Sequence, residues 1–325
     1  MGNRYSVIVT EAPYFSESMQ QILNAVDAEL KLAPCTTATE VISQASQADM
    51  IITTKADFSK PVIEGLNRCR FILRCGIGMD NFDIPAATAK GILIANLPEW
   101  YVEDLANHIM AFILDSSRKI TLIDRLVRSG EYSLDKIKPV RQLKNRVLGF
   151  VGFGKNAIGL LPKLNAFNFR ILVYDPYASN LPQDVEAVDL AALLRRSDFV
   201  VVSCPLTEET RGILGDDEFK LMKPEAYLIN SARGAIVDED ALIRALRQKE
   251  IAGVATDVLA NEPVTAREPL LEFDNVLITP HIAWYSEEAI EEARIRAAEN
   301  VVRFVKGDLP SHPLNPEALN SQKAP

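Results

Sequence analysis

Apolar positions along this chain fall into short β-branched runs separated by stretches with the 3.6-residue period of amphipathic helices. Ser6–Thr10, Met50–Thr53, Phe71–Leu73 and Ile92–Ala95 read as a first series of strands, with helical patterns over Ser18–Leu30 and Thr39–Ala48 between them. A second series runs through Val147–Val151, Ile171–Tyr174, Phe199–Val202, Tyr227–Ile229, Gly253–Ala255 and Val276–Ile278. Strands alternating with helices predict parallel sheets covered on both faces, hence an α/β fold. Four strands in the first series suggest a smaller flavodoxin-like sheet, and six in the second match a Rossmann-like one.

Between the two series a single long helix is expected over Val102–Ser129, with Leu105, Ile109, Phe112 and Ile113 as its apolar stripe and Gly130 closing it. Another helix opens at Ser286, with Glu287 and Glu288 in its first turn and Ala289, Ala293, Ala297, Val301 and Phe304 on one face. It follows the last strand of the second series, so the chain is expected to cross back and pack on the first domain. Beyond Gly307, the prolines Pro310, Pro313 and Pro316 point to an irregular ending.

Composition narrows the function classes. A chain of 325 residues can hold two cores, and a net charge of −9 argues against a nucleic-acid backbone as partner. No apolar run reaches the roughly 18 residues of a membrane span, and the opening residues read as a strand rather than a signal-peptide core. Cys35, Cys69, Cys75 and Cys204 have no metal-type spacing, and three histidines cannot build a local ligand cluster. No metal site is expected, and the thiols read as reduced ones in a cytoplasmic protein.

Candidate chemistry begins at Leu148-Gly149-Phe150-Val151-Gly152-Phe153-Gly154, a strand running into a glycine turn and then a helix. Gly152 permits the tight turn, and Gly154 lets main-chain N–H groups approach a pyrophosphate at the helix start; Ala157 takes the third glycine position. Asp175, in Asp175-Pro176, lies 18 residues beyond Ala157 at the end of the next strand, where a carboxylate accepts from both ribose hydroxyls and repels a 2′-phosphate. The expected cofactor is therefore NAD. Pro162 sits inside the following helix, where it removes one main-chain bond.

Three further ionisable residues each follow a strand of the second series: Arg233 in Asn230-Ser231-Ala232-Arg233-Gly234, Glu262 before Pro263, and His281 after Thr279-Pro280. A guanidinium can fork onto a carboxylate and fix its plane. An imidazole near neutrality can exchange a proton with a carbonyl or hydroxyl oxygen, and a carboxylate beside it selects the tautomer. Such a set at the carboxyl edge of a nucleotide-binding sheet suits a 2-hydroxy or 2-keto acid. His108, in the long helix, reads as structural, and His312 lies in the proline-rich tail.

With these motifs, and with Arg74-Cys75-Gly76-Ile77-Gly78-Met79-Asp80-Asn81 and Cys204-Pro205-Leu206-Thr207, the chain resembles the D-isomer-specific 2-hydroxyacid dehydrogenases over nearly its whole length. The segment Pro280-His281-Ile282-Ala283-Trp284-Tyr285-Ser286 looks most like the C-terminal-binding-protein branch. The resemblance implies an active site in an interdomain cleft. It gives Arg233 as the carboxylate clamp, His281 as the acid/base and Glu262 as its partner. Arg74 and the N–H groups of Gly76, Ile77 and Gly78 would face the substrate, with Trp100 and Trp284 as an aromatic wall around its side chain. The dinucleotide would meet Gly152, Gly154, Asn156, Ala157, Ile158, Asp175, Pro176, Cys204, Pro205, Thr210, Ser231, Ala232, Arg233, Asp257 and His281. Asn156 departs from the apolar residue common at its position.

The implied domains are a discontinuous substrate-binding one, 1–98 plus 287–325, and an NAD-binding one, 99–286. The implied activity is NAD-dependent oxidation of a small 2-hydroxy acid or reduction of the 2-keto acid. A homodimer is expected, from the resemblance and from the apolar Leu105–Leu114 segment. Two alternatives stay open: an NAD(H)-sensing corepressor-like binding protein, and a D-3-phosphoglycerate dehydrogenase, for which Lys55 in Ile52-Thr53-Thr54-Lys55 could meet a phosphate.

Overall fold

The computed structural model describes residues 4–321, which form two compact units. One holds the described residues up to Tyr101 together with those from Ser286 onward; the other is Val102–Tyr285.

The first unit carries β1 (Tyr5–Val9), β2 (Ala28–Leu32), β3 (Met50–Thr53), β4 (Phe71–Arg74) and β5 (Leu93–Asn96), all parallel in the order β2-β1-β3-β4-β5. That is one strand more than the four expected. Ser18–Leu30 is not a single helix: the helix stops at Leu23, and Asp27 turns the chain through a left-handed φ of 49° into β2. In β2 Ala28 and Leu30 are buried while Lys31 and Leu32 are exposed, a short edge strand whose brief alternation hides behind the helical pattern before it. Thr37 caps the next helix, Ala38–Ala45, in a capping box with Glu40.

The helix Glu287–Val305 belongs to this first unit. Ser286 caps it, Ala289, Ala293, Ala297 and Val301 are buried along one face, and Phe304 stacks on Phe71 of β4 with ring centroids 4.8 Å apart. Ser18 donates to Glu291 (2.9 Å), and Arg294 to the Pro13 carbonyl (2.9 Å). The tail is better ordered than its prolines suggest. Asn315, fully buried, accepts from Ile94 N–H and donates to the Ile92 carbonyl and the Thr88 hydroxyl, at 2.7–3.0 Å. One side chain thereby ties the ending to β5.

The second unit carries β6 (Val147–Val151), β7 (Arg170–Tyr174), β8 (Val185–Ala187), β9 (Phe199–Val202), β10 (Tyr227–Asn230), β11 (Gly253–Thr256) and β12 (Val276–Ile278), in the order β12-β11-β10-β9-β6-β7-β8. The edge strand β8 was not among the six expected; it is three residues long and mostly exposed, so it leaves no hydrophobic run to read. The expected helix Val102–Ser129 is two helices, Val102–Arg118 and Ile120–Arg128. Lys119 takes a left-handed φ of 56°, and the Asp115 carboxylate accepts from Thr121 N–H (2.8 Å) and so starts the second helix.

Leu105, Ile109, Phe112 and Ile113 are buried within this unit, whose helix Val102–Arg118 packs on the helix Lys155–Ala166 and on β10 and β11. A Cβ on Gly159 would come within 2.3 Å of Val102, so the glycine is what lets these two helices approach. The apolar stripe of the Leu105–Leu114 segment is thus used internally and gives no support of its own to a dimer. Pro162 is accommodated inside the helix Lys155–Ala166.

Candidate active site

The order of the larger sheet reverses between β6 and β9, and in open parallel sheets ligands settle at the carboxyl ends of the strands flanking such a reversal. The glycine turn leaves β6 there. Gly152 has φ 89°, and a Cβ on it would lie 2.5 Å from the Cys204 nitrogen at the end of β9. Only glycine can take both that conformation and that contact. At Gly154 the Cβ direction is open, with nothing within 4 Å, directly before the helix Lys155–Ala166.

Asp175 ties the turn to the end of β7: Oδ2 accepts from Phe153 N–H and Oδ1 from Tyr177 N–H, each at 2.8 Å. Each oxygen keeps a lone pair for another donor. Pro176 follows at the exposed rim, and Ala157 is buried where a third glycine would stand, while Ile158 is exposed. Thr210 closes the loop after β9 by donating to the Pro205 carbonyl (2.6 Å) and accepting from Thr207 N–H (2.8 Å). Burial pushes the Cys204 thiol up to about 11. Two buried side-chain oxygens, Asn156 Oδ1 and Ser231 Oγ, have no hydrogen-bond partner among the described residues. An open glycine cradle, a carboxylate with acceptor capacity and two unsatisfied polar atoms fit a dinucleotide.

Arg233 stands in a turn set by Asn230 at the end of β10. Asn230 accepts from Ala232 N–H and donates to the Arg233 carbonyl, both at 3.0 Å. Gly234 lies so close to the chain after β11 that a Cβ would fall 2.0 Å from the Leu259 carbonyl carbon. The half-buried Arg233 donates through Nη1 to the Ala232 carbonyl (2.8 Å).

His281 and Glu262 meet directly. His281 Nδ1 lies 2.7 Å from Glu262 Oε2, while Glu262 Oε1 accepts from Leu259 N–H at 3.0 Å. One carboxylate oxygen is fixed to the backbone and the other accepts from Nδ1–H, which leaves Nε2 as the ring nitrogen able to exchange a proton with a ligand. His281 has φ 58°, unusual for a residue with a Cβ. Asp257, 2% exposed, holds this backbone from beneath: its carbonyl accepts from His281 N–H (2.9 Å), and its carboxylate from Ile282 N–H (2.9 Å), Ala283 N–H (2.8 Å) and the Thr279 hydroxyl (2.5 Å).

Sequence reasoning overlooked a contribution here. His108 Nε2 lies 3.0 Å from the Thr279 oxygen. Since the Thr279 proton goes to Asp257, His108 donates, and a chain His108–Thr279–Asp257 underlies the His281 loop. Burial lowers the His108 pKa, with Asp257 opposing, so the ring is neutral near pH 7. An isolated His in a helix gives no hint of a partner 171 positions away. Trp284 also anchors the loop, its indole N–H donating to the His281 carbonyl at 2.9 Å.

In the first unit, Arg74 ends β4 with its guanidinium 6.0 Å from the Phe82 ring centroid. Gly76 N–H donates to the Arg74 carbonyl (3.0 Å) and Asn96 Nδ2 to the Ile77 carbonyl (3.3 Å), shaping the turn through Gly78; Ile77 is exposed. Trp100 is buried, edge-on to Tyr14 and Tyr101 with centroids 6.2 and 5.0 Å away. Among the described residues no His/Cys/Asp/Glu group could hold a metal, and no helix is long and apolar enough to cross a membrane.

Comparison with known proteins agrees with this arrangement. The sequence model of the D-isomer specific 2-hydroxyacid dehydrogenase NAD binding domain matches residues 110–283. A glyoxylate reductase from Thermococcus litoralis is 35% identical over 291 residues, covering 86% of this chain and 88% of that protein. A D-3-phosphoglycerate dehydrogenase from Archaeoglobus fulgidus is also 35% identical, over 79% of this chain but only 49% of its own length. Among solved structures, D-lactate dehydrogenase from Aquifex aeolicus complexed with NAD and lactic acid superposes with a TM-score of 0.85 at 27% identity, over 95% of this chain and 99% of that one. The chain belongs to the D-isomer specific 2-hydroxyacid dehydrogenase family and is an NAD-dependent oxidoreductase acting on 2-hydroxy acids.

Proposed function

We propose that this protein reduces a small 2-keto acid to the D-2-hydroxy acid, and catalyses the reverse oxidation, with Arg233, Glu262 and His281 as its working side chains. The observation that carries this reading is the Glu262–His281 pair, 2.7 Å apart, with the second Glu262 oxygen fixed by Leu259 N–H. Arg233 takes the substrate carboxylate in a forked pair of charge-assisted bonds and sets the plane of the keto group. His281, holding Nδ1–H against Glu262, gives its Nε2 proton to the keto oxygen. Glu262 accepts from Nδ1–H and keeps the ring in one orientation throughout the transfer. Bound NADH supplies the hydride that reaches substrate C2.

Arg74 and the N–H groups of Gly76, Ile77 and Gly78 are assigned to the same substrate, with Trp284 and Trp100 toward its side chain. Asp175 is assigned to the adenosine ribose, and Asp257, beyond its loop bonds, to the nicotinamide amide. Glyoxylate is the substrate that one relative's name suggests, and the lactic acid bound to a structural neighbour points to the matching keto acid, pyruvate. An NADH-oxidation assay across a panel of 2-keto acids tests the reading; turnover is expected on the shortest acids, and none on any acid would overturn it.

The proposed state is a cytoplasmic homodimer. Four free cysteines, three of them buried, suit a reducing compartment. Ile120, Val127, Tyr132 and Leu134 expose apolar surface on one stretch of the second unit that a second copy could cover. Elution as a monomer at micromolar concentration would contradict the dimer.

A further inference from the structure

The five-stranded sheet reverses its order between β1 and β3, and the crevice at the carboxyl ends of such a strand pair is where an open parallel sheet receives a ligand. In this chain that crevice is filled from within. Glu11 follows β1, and the turn Thr53–Ala56 ends β3. Three successive N–H groups of the turn donate to the Glu11 carboxylate: Thr54 to Oε2 at 3.0 Å, then Lys55 and Ala56 to Oε1 at 2.8 and 3.2 Å. The Thr10 hydroxyl lies 2.7 Å from Glu11 Oε2 and 2.7 Å from the Thr53 hydroxyl, and both threonines are buried. Successive N–H groups converging on one anion form a nest, the arrangement that elsewhere takes a ligand's phosphate or carboxylate.

The neighbouring strand brings the substrate turn to the same edge. Thr53 pairs with Arg74 across the β3–β4 ladder, and Cys75 N–H donates to the Thr53 carbonyl at 2.8 Å. The filled nest and the Arg74–Gly78 turn are therefore adjacent strand ends of one sheet.

We propose that Glu11 determines specificity: its built-in carboxylate occupies the anion nest of the Thr53–Ala56 turn and so directs the protein to 2-keto acids with an uncharged side chain rather than to phosphorylated or dicarboxylic ones. This rests on the assignment of Arg74 and the Gly76–Gly78 turn to the substrate. A second anionic group arriving at this edge meets donors already engaged and a like charge in their midst, a repulsive element of the kind that excludes wrong ligands. Lys55 does not reverse this. Its N–H is one of the three bonds to Glu11, and its exposed ammonium is a flexible point charge, a looser clamp than fixed main-chain donors.

The test compares kcat/KM for pyruvate with that for oxaloacetate and 3-phosphohydroxypyruvate in the wild-type chain and in Glu11→Gln, which keeps an acceptor for the turn and loses the charge. It is joined by calorimetric titration of inorganic phosphate into NADH-saturated wild type and Glu11→Ala. Wild type is expected to prefer pyruvate, and Glu11→Gln to move the ratio toward the acids that carry a second anionic group by about tenfold. Saturable phosphate binding is expected in Glu11→Ala alone. An unchanged ratio in Glu11→Gln overturns the proposal, as does wild-type use of the phosphorylated acid equal to that of pyruvate, or phosphate binding that is the same in both proteins. If wild type reduces no 2-keto acid, the functional reading fails, and the phosphate titration still decides whether Glu11 fills an anion nest. If Glu11→Ala does not fold, the Glu11→Gln ratio decides.

Discussion

The indole N–H of Trp284 donates to the main-chain carbonyl of His281 at 2.9 Å. A residue expected only to border the substrate is thus a strut for the loop that holds His281 at φ 58°. The two roles separate experimentally. Trp284→Phe keeps an aromatic ring and removes the donor, costing about 1 kcal/mol, or roughly fivefold in kcat, with little change in the preference between pyruvate and bulkier 2-keto acids. Trp284→Ala is expected to alter that preference as well. Steady-state kinetics on both variants checks this, and an altered preference in Trp284→Phe would show that the ring's polar edge touches substrate.

Thr279 is the joint between His108 and Asp257. Thr279→Val removes the hydroxyl that donates to a carboxylate 2% exposed, and is expected to cost about 1–3 kcal/mol of stability, with a fall in kcat, whereas Thr279→Ser keeps both. Denaturant midpoints and kcat measured together would reveal it; a Thr279→Val protein equal to wild type would remove the chain from the account. The pH dependence has a definite sign. Burial lowers the His108 pKa, so below the ordinary value of about 6.5 the unfolded chain binds a proton that the folded one refuses. The stability tied to neutral His108 is present at pH 7 and is lost as pH falls through that window, and His108→Gln should lose less on acidification.

Asp175 is expected to set the choice between NAD and NADP. Its oxygens already hold Phe153 and Tyr177 N–H groups, and their remaining lone pairs suit ribose hydroxyls while their charge repels a 2′-phosphate. Asp175→Ser should shift the NADP-to-NAD ratio of kcat/KM by about ten- to a hundredfold toward NADP. Ratios from the same preparation measure it, and no shift would mean that another group reads the ribose.

Cys204 contributes main-chain atoms rather than a reactive thiol. With its thiol pushed up to about 11, only about one part in ten thousand is thiolate at pH 7, so iodoacetamide should label it far more slowly than an exposed cysteine, with a rate that climbs steadily up to that pH. Rapid labelling near neutrality, read by mass spectrometry, would contradict this.

Much of this was legible in the chain because it depends on local spacing. Gly152, Gly154 and Asp175 declare themselves by their order after two strands, and Arg233, Glu262 and His281 by being ionisable residues just beyond three others. What stayed hidden depends on distant partners or on a single backbone angle. The break at Lys119 needs a left-handed residue with no glycine to announce it. β2 begins immediately after a helix and a turn, so its alternation is too short to stand out. Glu11 takes its role from N–H groups 43 to 45 positions away, and side-chain type does not forecast such a bond.

The most direct measurement of the central claim is steady-state NADH oxidation with glyoxylate and pyruvate by the wild-type chain and by His281→Gln, with NADH binding followed by fluorescence in both. The account predicts turnover by wild type, a loss of about a hundred- to ten-thousandfold in kcat for His281→Gln, and NADH binding that is retained in both. A His281→Gln protein that turns over like wild type, or a wild type that binds NADH and reduces neither acid, would contradict it.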